Sequence, residues 1–161
     1  MSTLALRPAT EDDFAPLTML WAQGWDAGHA KIAPKELIRL RTAESFHLRL
    51  RGFGKNLLVI GERGDPLGFV ALKIDQIDQF YVRQDQAGSG LAAQLMALAE
   101  AELVARGTTQ AKLECLADNA RACAFYRKTG WAENGMEDIT VDTSKGPYVL
   151  PAMIFGKTLG K

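Results

Sequence analysis

The clearest periodic pattern lies in the second half of the chain. Apolar side chains recur there every three or four residues until Gly107 interrupts the run. They are Leu91, Leu95, Leu98, Ala99 and Leu103. This spacing puts them on one face of a helix, and a glycine just past the last apolar position commonly ends one. The pattern predicts a helix from residue 91 to just before Gly107.

Several shorter apolar runs have the composition of strands and are bounded by turn-forming residues. Residues 57–60 and 67–72 flank the sequence Glu-Arg-Gly-Asp-Pro, which predicts a hairpin. The remaining strand predictions are residues 4–7, 77–82, 111–116, 131–141 and 148–157.

Helix-starting signals account for the segment between the first strand and the hairpin. Thr10 with Asp13 three residues later has the capping-box pattern, and it predicts a helix that runs to about Gly28. Pro34 suits the first turn of a second helix, which we expect to stop before Gly52.

A last helix is predicted over residues 119–129, because Gly130 stands just past its end. The element order is then a strand, two helices, an antiparallel group, strand-helix-strand-helix and a terminal strand pair. This order predicts a mixed α/β sheet.

The composition fits one compact domain over residues 1–161, since domains of roughly 100–200 residues bury a core of their own and 47% of the residues are hydrophobic. Lys and Arg number 19 and so do Asp and Glu, so the chain has no net charge that would attract nucleic acid or an anionic membrane. Any anionic ligand must therefore be held by local geometry.

The start of the chain has no basic stretch followed by a long apolar one, and no window approaches the roughly 18 apolar residues of a membrane span. We therefore expect a cytoplasmic protein. Cys115 and Cys123 belong to neither a CxxC pair nor a Cys/His cluster with zinc-ligand spacing. We expect two reduced thiols packed near each other in the core, and no metal.

A turn rich in small residues connects the strand predicted at 77–82 to the helix that starts at residue 91. Gly88 and Gly90 permit positive φ and the close approach of an anion, and Ala92 keeps the next turn small. Free N–H groups and the helix dipole at such a helix start can hold a phosphate without a Lys side chain. A loop that only turns the chain is the alternative interpretation.

Two other phosphate-binding motifs have Gly-rich turns of this kind. No Lys-Ser or Lys-Thr follows it, which counts against a nucleotide P-loop. Gly88, Gly90 and Ala93 formally fit a dinucleotide fingerprint with Glu114 as the distant acidic partner. That fingerprint normally opens a doubly wound parallel sheet, whereas here a hairpin precedes the turn and one strand-helix unit follows it.

The turn resembles the coenzyme loop of the GNAT superfamily of N-acetyltransferases. The family has a strand ending in Val, then Arg or Gln, two residues, Gly, one residue and Gly or Ala, opening a Leu-rich helix. Val82 ends the strand here, Gly90 and Ala92 fill the small positions, and Leu95 fills the helix position. Ala87 stands where the family usually has Arg or Gln.

A second segment, residues 119–131, is similar to the family pattern Asn-x-x-Ala-x-x-x-Tyr-x-x-x-Gly-Phe. Together the two motifs and the element order cover nearly the whole chain. The resemblance implies a mostly antiparallel sheet of about seven strands flanked by about four helices. It also implies transfer of an acetyl group from acetyl-CoA to an amine of a small molecule or protein, by direct attack.

By the same resemblance, Asn119 would hydrogen-bond the pantetheine arm, and Tyr126 would act as a catalytic acid near the thioester sulfur. The two residues lie seven positions apart, on one face of the predicted helix. The coenzyme-binding residues that the resemblance implies are Phe80, Tyr81, Val82, Ala87, Gly88, Ser89, Gly90, Leu91, Ala92, Asn119 and Tyr126. A purely structural role for Tyr126 beside Phe125 is the alternative.

Attack on a thioester needs a neutral amine, so a group must take the proton of an ammonium whose pKa is near ~10.4. Relatives in the family often use an acid on the strand before the loop. We rank Asp78 ahead of Asp75 and Glu114 for this role.

The acceptor side of the family comes from the first two helices and the last strand pair. A stripe of Trp21, Trp25, Asp26 and His29 could border that pocket, although core packing or a subunit contact is commoner for such a stripe. Four arginines crowd the predicted second helix, and a solvated face is favoured over an anion site. They are Arg39, Arg41, Arg49 and Arg51.

The leading function is thus an N-acetyltransferase. A non-catalytic module that binds or senses acyl-CoA is the alternative that Ala87 and the unassigned base favour, and a nucleotide-cofactor enzyme is the third. Edge strands and apolar terminal segments are compatible with a homodimer.

Overall fold

The computed structural model describes residues 4–160 and has one seven-stranded sheet with five α-helices. In chain order the elements are β1 (Arg7–Pro8), α1 (Phe14–His29), α2 (Lys35–Leu40), α3 (Ala43–Gly52), β2 (Leu57–Glu62), β3 (Asp65–Lys73), β4 (Gln76–Val82), α4 (Leu91–Ala105), β5 (Gln110–Cys115), α5 (Ala120–Lys128), β6 (Ala132–Thr143) and β7 (Gly146–Thr158).

The sheet order is β1-β2-β3-β4-β5-β7-β6, and every neighbouring pair is antiparallel except β4 and β5. This confirms the predicted mixed, mostly antiparallel sheet of about seven strands. One parallel pair in such a sheet is not the doubly wound arrangement that a dinucleotide fingerprint requires. The sheet topology therefore argues against the nucleotide-cofactor alternative.

Each face of the sheet has its own hydrophobic core. On one face α4 and α5 pack against the sheet through residues such as Leu95, Leu103 and Cys123. On the other face α1 to α3 pack through Trp21 and Phe46 among others. The site described below lies at a gap in the sheet that connects the two faces.

The start of α1 is fixed by a buried carboxylate. Asp13 accepts two hydrogen bonds from Arg7, at 2.7 and 3.0 Å, and others from Thr10 and from the Gly64 N–H. Burial would raise the pKa of Asp13, but these hydrogen bonds outweigh it and hold the pKa well below its usual range. The capping box predicted at Thr10 is present.

The predicted helix count was too low by one, because the segment after Pro34 forms two helices. Thr42 has extended backbone angles, φ −90° and ψ 163°, and its side chain accepts a hydrogen bond from the Ser45 N–H as the N-cap of α3. The chain thus turns at Arg41 and Thr42 rather than continuing as one helix.

The first strand is also shorter than predicted. Only Arg7 and Pro8 pair with β2, whereas Leu4 and Leu6 pack against the core instead. The other predicted strands and helices are confirmed to within a few residues at their ends.

Candidate active site

The parallel strands β4 and β5 separate soon after they meet. Gln76 pairs with Lys112 and Ile77 with Leu113, and within residues 4–160 no further pair joins these two strands. Beyond that point β4 continues to pair with β3, and β5 with β7. A gap therefore opens in the sheet, with unpaired strand edges on both of its sides.

A β-bulge stands where the gap begins. Leu72 pairs with Ile77 and Ala71 with Gln79, so Asp78 has no residue opposite it on β3. A bulge of this kind redirects the side chain at that position. Asp78 lines the cavity that fills the gap.

At the far end of β4, the turn before α4 presents unoccupied backbone donors. Gly88 and Gly90 have φ of 79° and 86°, and no atom lies within 4 Å of where a Cβ would stand on either. In the part of the chain that the structure describes, four N–H groups in and after this turn lack a hydrogen-bond acceptor. They belong to Gly88, Gly90, Ala92 and Ala93.

The other two predicted residues of the turn have structural partners. Ser89 Oγ donates to the Gln86 carbonyl at 2.6 Å and accepts from the Leu91 N–H at 3.3 Å. The Leu91 side chain is buried in the core. The turn therefore offers an anion its backbone amides, with Ser89 holding the turn's shape.

A cavity of about 590 Å³ lies over this turn. It is lined on one side by Val82, Ala87 and the glycines, and on the other by residues of α5. Arg121 and Lys128 are among the α5 residues, which places two cations opposite the free amides. Neither residue was predicted from the sequence, although Arg121 belongs to the second motif.

A second cavity, of about 380 Å³, extends through the gap between β4 and β5. Tyr126 of α5 lines it, and the ring packs against Phe80, Phe125 and Phe155 with centroids 6.5, 5.6 and 5.5 Å away. Burial raises the pKa of the Tyr126 phenol well above its usual range. The hydroxyl is therefore protonated at neutral pH.

Asn119 lies at the N-cap of α5, beside the same cavity. Its Oδ1 accepts a hydrogen bond from the Ala122 N–H at 3.3 Å. A Cβ added to Gly28 would stand 3.1 Å from its Nδ2, so the side-chain amide faces the end of α1. Phe80 and Tyr81 line the cavity from β4.

The four residues of the stripe predicted on α1 lie in different environments. Trp21 is fully buried and Asp26 is exposed, whereas Trp25 and His29 line the cavity. The His29 ring stacks on Trp25 at 4.9 Å, and its Nδ1 lies 3.0 Å from the Trp25 carbonyl. Burial lowers the pKa of His29, so the imidazole is neutral and Nδ1–H is the donor to that carbonyl. Gly24 lets the Tyr81 ring pack closely against α1, because a Cβ there would stand 2.8 Å from Tyr81 Cδ1.

The solvated face predicted for the four arginines was wrong for two of them. Arg39 and Arg51 are exposed, and Arg51 pairs with Glu11. Arg41, at the break between α2 and α3, and Arg49, on α3, instead line the cavity. Burial lowers the pKa of Arg41 to about 10 and also lowers that of Arg49, and both remain charged at neutral pH.

Of the three acids considered as the base, two lie at this cavity. Asp78 and Glu114 line it, and Glu114 accepts a hydrogen bond from Gln76 Nε2. Asp75 does not line it, and accepts a hydrogen bond from Thr108 Oγ1 at 2.9 Å.

The two cysteines are free and buried, with sulfurs 3.7 Å apart, as expected. Burial raises the pKa of the Cys115 thiol well above its usual range, which makes this thiol a poor nucleophile. None of the helices between residues 4 and 160 has the length and apolar character that a membrane span needs.

Comparisons with known proteins agree with this geometry. The family model for the acetyltransferase (GNAT) family matches residues 22–131. A GCN5-related N-acetyltransferase of Rhodopseudomonas palustris is 26% identical, with 99% of this chain and 98% of that chain covered and a TM-score of 0.73. No match was found among curated proteins.

Two more distant structures share the fold. The PaiA N-acetyltransferase of Thermoplasma acidophilum, solved with coenzyme A, is 16% identical, with 98% and 99% of the two chains covered and a TM-score of 0.67. YncA of Salmonella typhimurium, solved with acetyl-CoA, is 15% identical, with 99% and 96% covered and a TM-score of 0.64. The chain belongs to the GNAT family of acetyltransferases. Acetyl transfer is thus the general reaction of its class.

Proposed function

We propose that this protein is an N-acetyltransferase that moves the acetyl group of acetyl-CoA directly to an amine. Acetyl-CoA is the cosubstrate. The observation that carries the proposal is the gap between β4 and β5, which begins at Asp78 and runs toward the free amides of the Gly88–Gly90 turn. One continuous feature thus offers a phosphate site at one end and titratable side chains at the other.

The coenzyme fits this feature by the chemistry of each part. Its pyrophosphate would accept hydrogen bonds from the amides of Gly88, Gly90 and the first turn of α4, with Arg121 and Lys128 balancing its charge. Its pantetheine arm carries amides that can pair with the open edge of β4, as a further strand would. That arrangement brings the thioester to the cavity lined by Tyr126 and Asn119.

In the proposed reaction Asp78 accepts a proton from the acceptor ammonium, directly or through water, and the neutral amine attacks the acetyl carbonyl. As the C–S bond breaks, the Tyr126 hydroxyl donates a hydrogen bond to the departing sulfur. The attacking amine loses its second proton to water, and the thiolate takes up a proton from water to leave as the thiol of CoA, whose pKa is near ~8.5. Because burial raises the pKa of Cys115, a covalent acetyl-cysteine is disfavoured and direct transfer is preferred.

The second candidate, a module that binds acyl-CoA without catalysis, is favoured by one observation. Ala87 lines the cavity over the turn with a methyl group where relatives have a long polar side chain. Arg121 and Lys128 supply cations from the opposite wall, so this difference alone does not require weak binding. From the sequence, we also propose a cytoplasmic location, one domain over the whole chain and a homodimer.

Coenzyme binding is tested by Gly90→Val, with Gly107→Val as the matched control. Both glycines flank α4, have φ of 86° and 95°, and have open space where a Cβ would be added. Each substitution should cost about 1–2 kcal/mol of stability through left-handed backbone strain. Gly107 is about 22 Å away, given a rise of 1.5 Å per residue over the 15 residues of α4.

We expect calorimetry to show loss of acetyl-CoA binding in Gly90→Val and wild-type affinity in Gly107→Val. Equal affinities in the two variants would mean that the pyrophosphate binds elsewhere. A panel of amines, scored by thiol release from acetyl-CoA, then separates the enzyme from the binding module. The module predicts binding without amine-dependent thiol release.

A further inference from the structure

The acceptor side of the cavity contains two arginines without carboxylate partners. Within residues 4–160 neither Arg41 nor Arg49 forms an ion pair, although eight pairs are present elsewhere in that range. The Arg49 charge lies close enough to help lower the pKa of Arg41, after the larger effect of burial. Two like charges are therefore held near each other in a partly desolvated site.

The guanidinium groups are fixed but not neutralised. Arg49 Cζ lies 4.5 Å from the centroid of the Trp21 ring, a cation–π contact, and within residues 4–160 its guanidinium donates no hydrogen bond. Arg41 Nη1 donates to the Asp142 carbonyl at 2.6 Å, and its Nε has no acceptor in the described chain. Buried cations of this kind normally have an anionic partner.

Other charged groups face the same cavity. Lys73, Asp78, Glu114 and Asp142 line it as well. Asp78 and Asp142 raise the pKa of Arg49 through space, yet neither is within ion-pair distance. Asp78 and Glu114 border the β4–β5 gap, whereas Arg41 lies in the turn between α2 and α3 and Arg49 lies on α3. Two of the carboxylates thus lie at the gap and the two arginines on the helical side, while β6 adds the Asp142 carboxylate and β3 adds Lys73.

We propose that the acceptor is a small amino acid-like molecule, with an acid group bound by Arg41 and Arg49 and its amine directed toward Asp78. This inference rests on the proposed function and specifies its substrate class. A cavity of about 380 Å³ is suited to a small molecule. Both a planar carboxylate and a tetrahedral phosphonate match the donor geometry of paired guanidinium groups.

The test uses amines in matched sets: α-amino acids, their carboxamides, and aminoalkyl phosphonates. We expect kcat/KM for the preferred acid to exceed that of its carboxamide by tenfold or more, and the phosphonates identify which acid group is preferred. Equal rates for acids and carboxamides would overturn the inference. So would a preference for peptides whose carboxyl group is distant from the acetylated amine.

Arg49→Gln should raise KM for the acid tenfold or more, with little change in KM for the carboxamide and in Kd for acetyl-CoA. Arg39→Gln is the matched control, because Arg39 is exposed and does not line the cavity. Equal effects of the two substitutions would count against the proposal. The comparison of wild-type enzyme with acid and carboxamide needs no variant, so it remains decisive if Arg49→Gln folds poorly.

Direct binding separates this inference from the proposed function. Calorimetry with an N-acetyl amino acid and its carboxamide, in the absence of coenzyme, reports on the arginines alone. Acid-selective binding without turnover would support the anion site and contradict the enzyme. Turnover without acid selectivity in either assay would support the enzyme and overturn the anion site.

Discussion

Replacing Tyr126 by Phe isolates the hydroxyl proposed to meet the leaving sulfur. The ring contacts with Phe80, Phe125 and Phe155 remain, and in the described chain no protein group hydrogen-bonds the hydroxyl. Stability should therefore change by less than about 0.5 kcal/mol. If the hydroxyl acts on the leaving group, kcat should fall by about 10²–10⁴, or about 3–5 kcal/mol of transition-state stabilisation.

The assay pairs kcat, measured with the best amine of the panel, with the acetyl-CoA Kd from calorimetry. The Kd should stay within a factor of a few, because the loss is confined to the transition state. Tyr148→Phe is the control, since it removes a hydroxyl from a tyrosine that does not line the cavity. Wild-type kcat in Tyr126→Phe, with single-turnover data showing that chemistry limits the rate, would refute the role. Water would then have to protonate the thiolate, or a backbone N–H would have to stabilise it by a hydrogen bond.

Three further changes address other parts of the molecule. Ala87→Arg should lower the acetyl-CoA Kd severalfold in calorimetry, and more at low salt than at high salt, because it adds a cation beside the pyrophosphate site. Asp78→Asn should lower kcat/KM by about 10²–10⁴, whereas Asp75→Asn should leave kcat/KM unchanged. Asp13→Asn should cost about 2–4 kcal/mol in urea unfolding at pH 7. Because folding lowers the pKa of Asp13, its contribution is present above the unfolded-state pKa of about 3.9 and is lost as pH falls below it. The difference in the free energy of unfolding between wild type and Asp13→Asn should therefore become smaller in acid.

Local signals were sufficient for most elements and for the backbone geometry of the turn between β4 and α4. The spacing of the apolar residues that follow Leu91 is a property of α4 itself, and Gly88 and Gly90 adopt the positive φ that only glycine accommodates easily. The first N–H groups of a helix also lack acceptors within the helix, whatever the rest of the chain does. These features needed no information from distant parts of the chain.

The side of the cavity that holds Arg41 and Arg49 could not be predicted in the same way. Arg41 enters the cavity because Thr42 caps a separate helix, a signal that is present in the sequence but was outweighed by the helical pattern around it. In the sequence, Arg49 has the pattern of an ordinary charged helix residue. Its position depends on a tertiary contact with Trp21 of α1. The separation of β4 from β5 is a tertiary property as well, since both segments have ordinary strand patterns.

The two residue pairs between β4 and β5 also divide the sheet into two smaller ones. Strands β1 to β4 form one group and β5, β7 and β6 the other, joined at a single end near Asp75, whose carbonyl accepts a hydrogen bond from the Lys112 N–H. Cooperative units of a fold often follow such divisions. Amide hydrogen exchange in the free protein should therefore distinguish the two groups, with fast exchange along the open edges of Asp78–Val82 and Glu114–Leu116. A ligand spanning the gap would join them into one unit, so that slower exchange in both groups at once would be a sign of coenzyme binding.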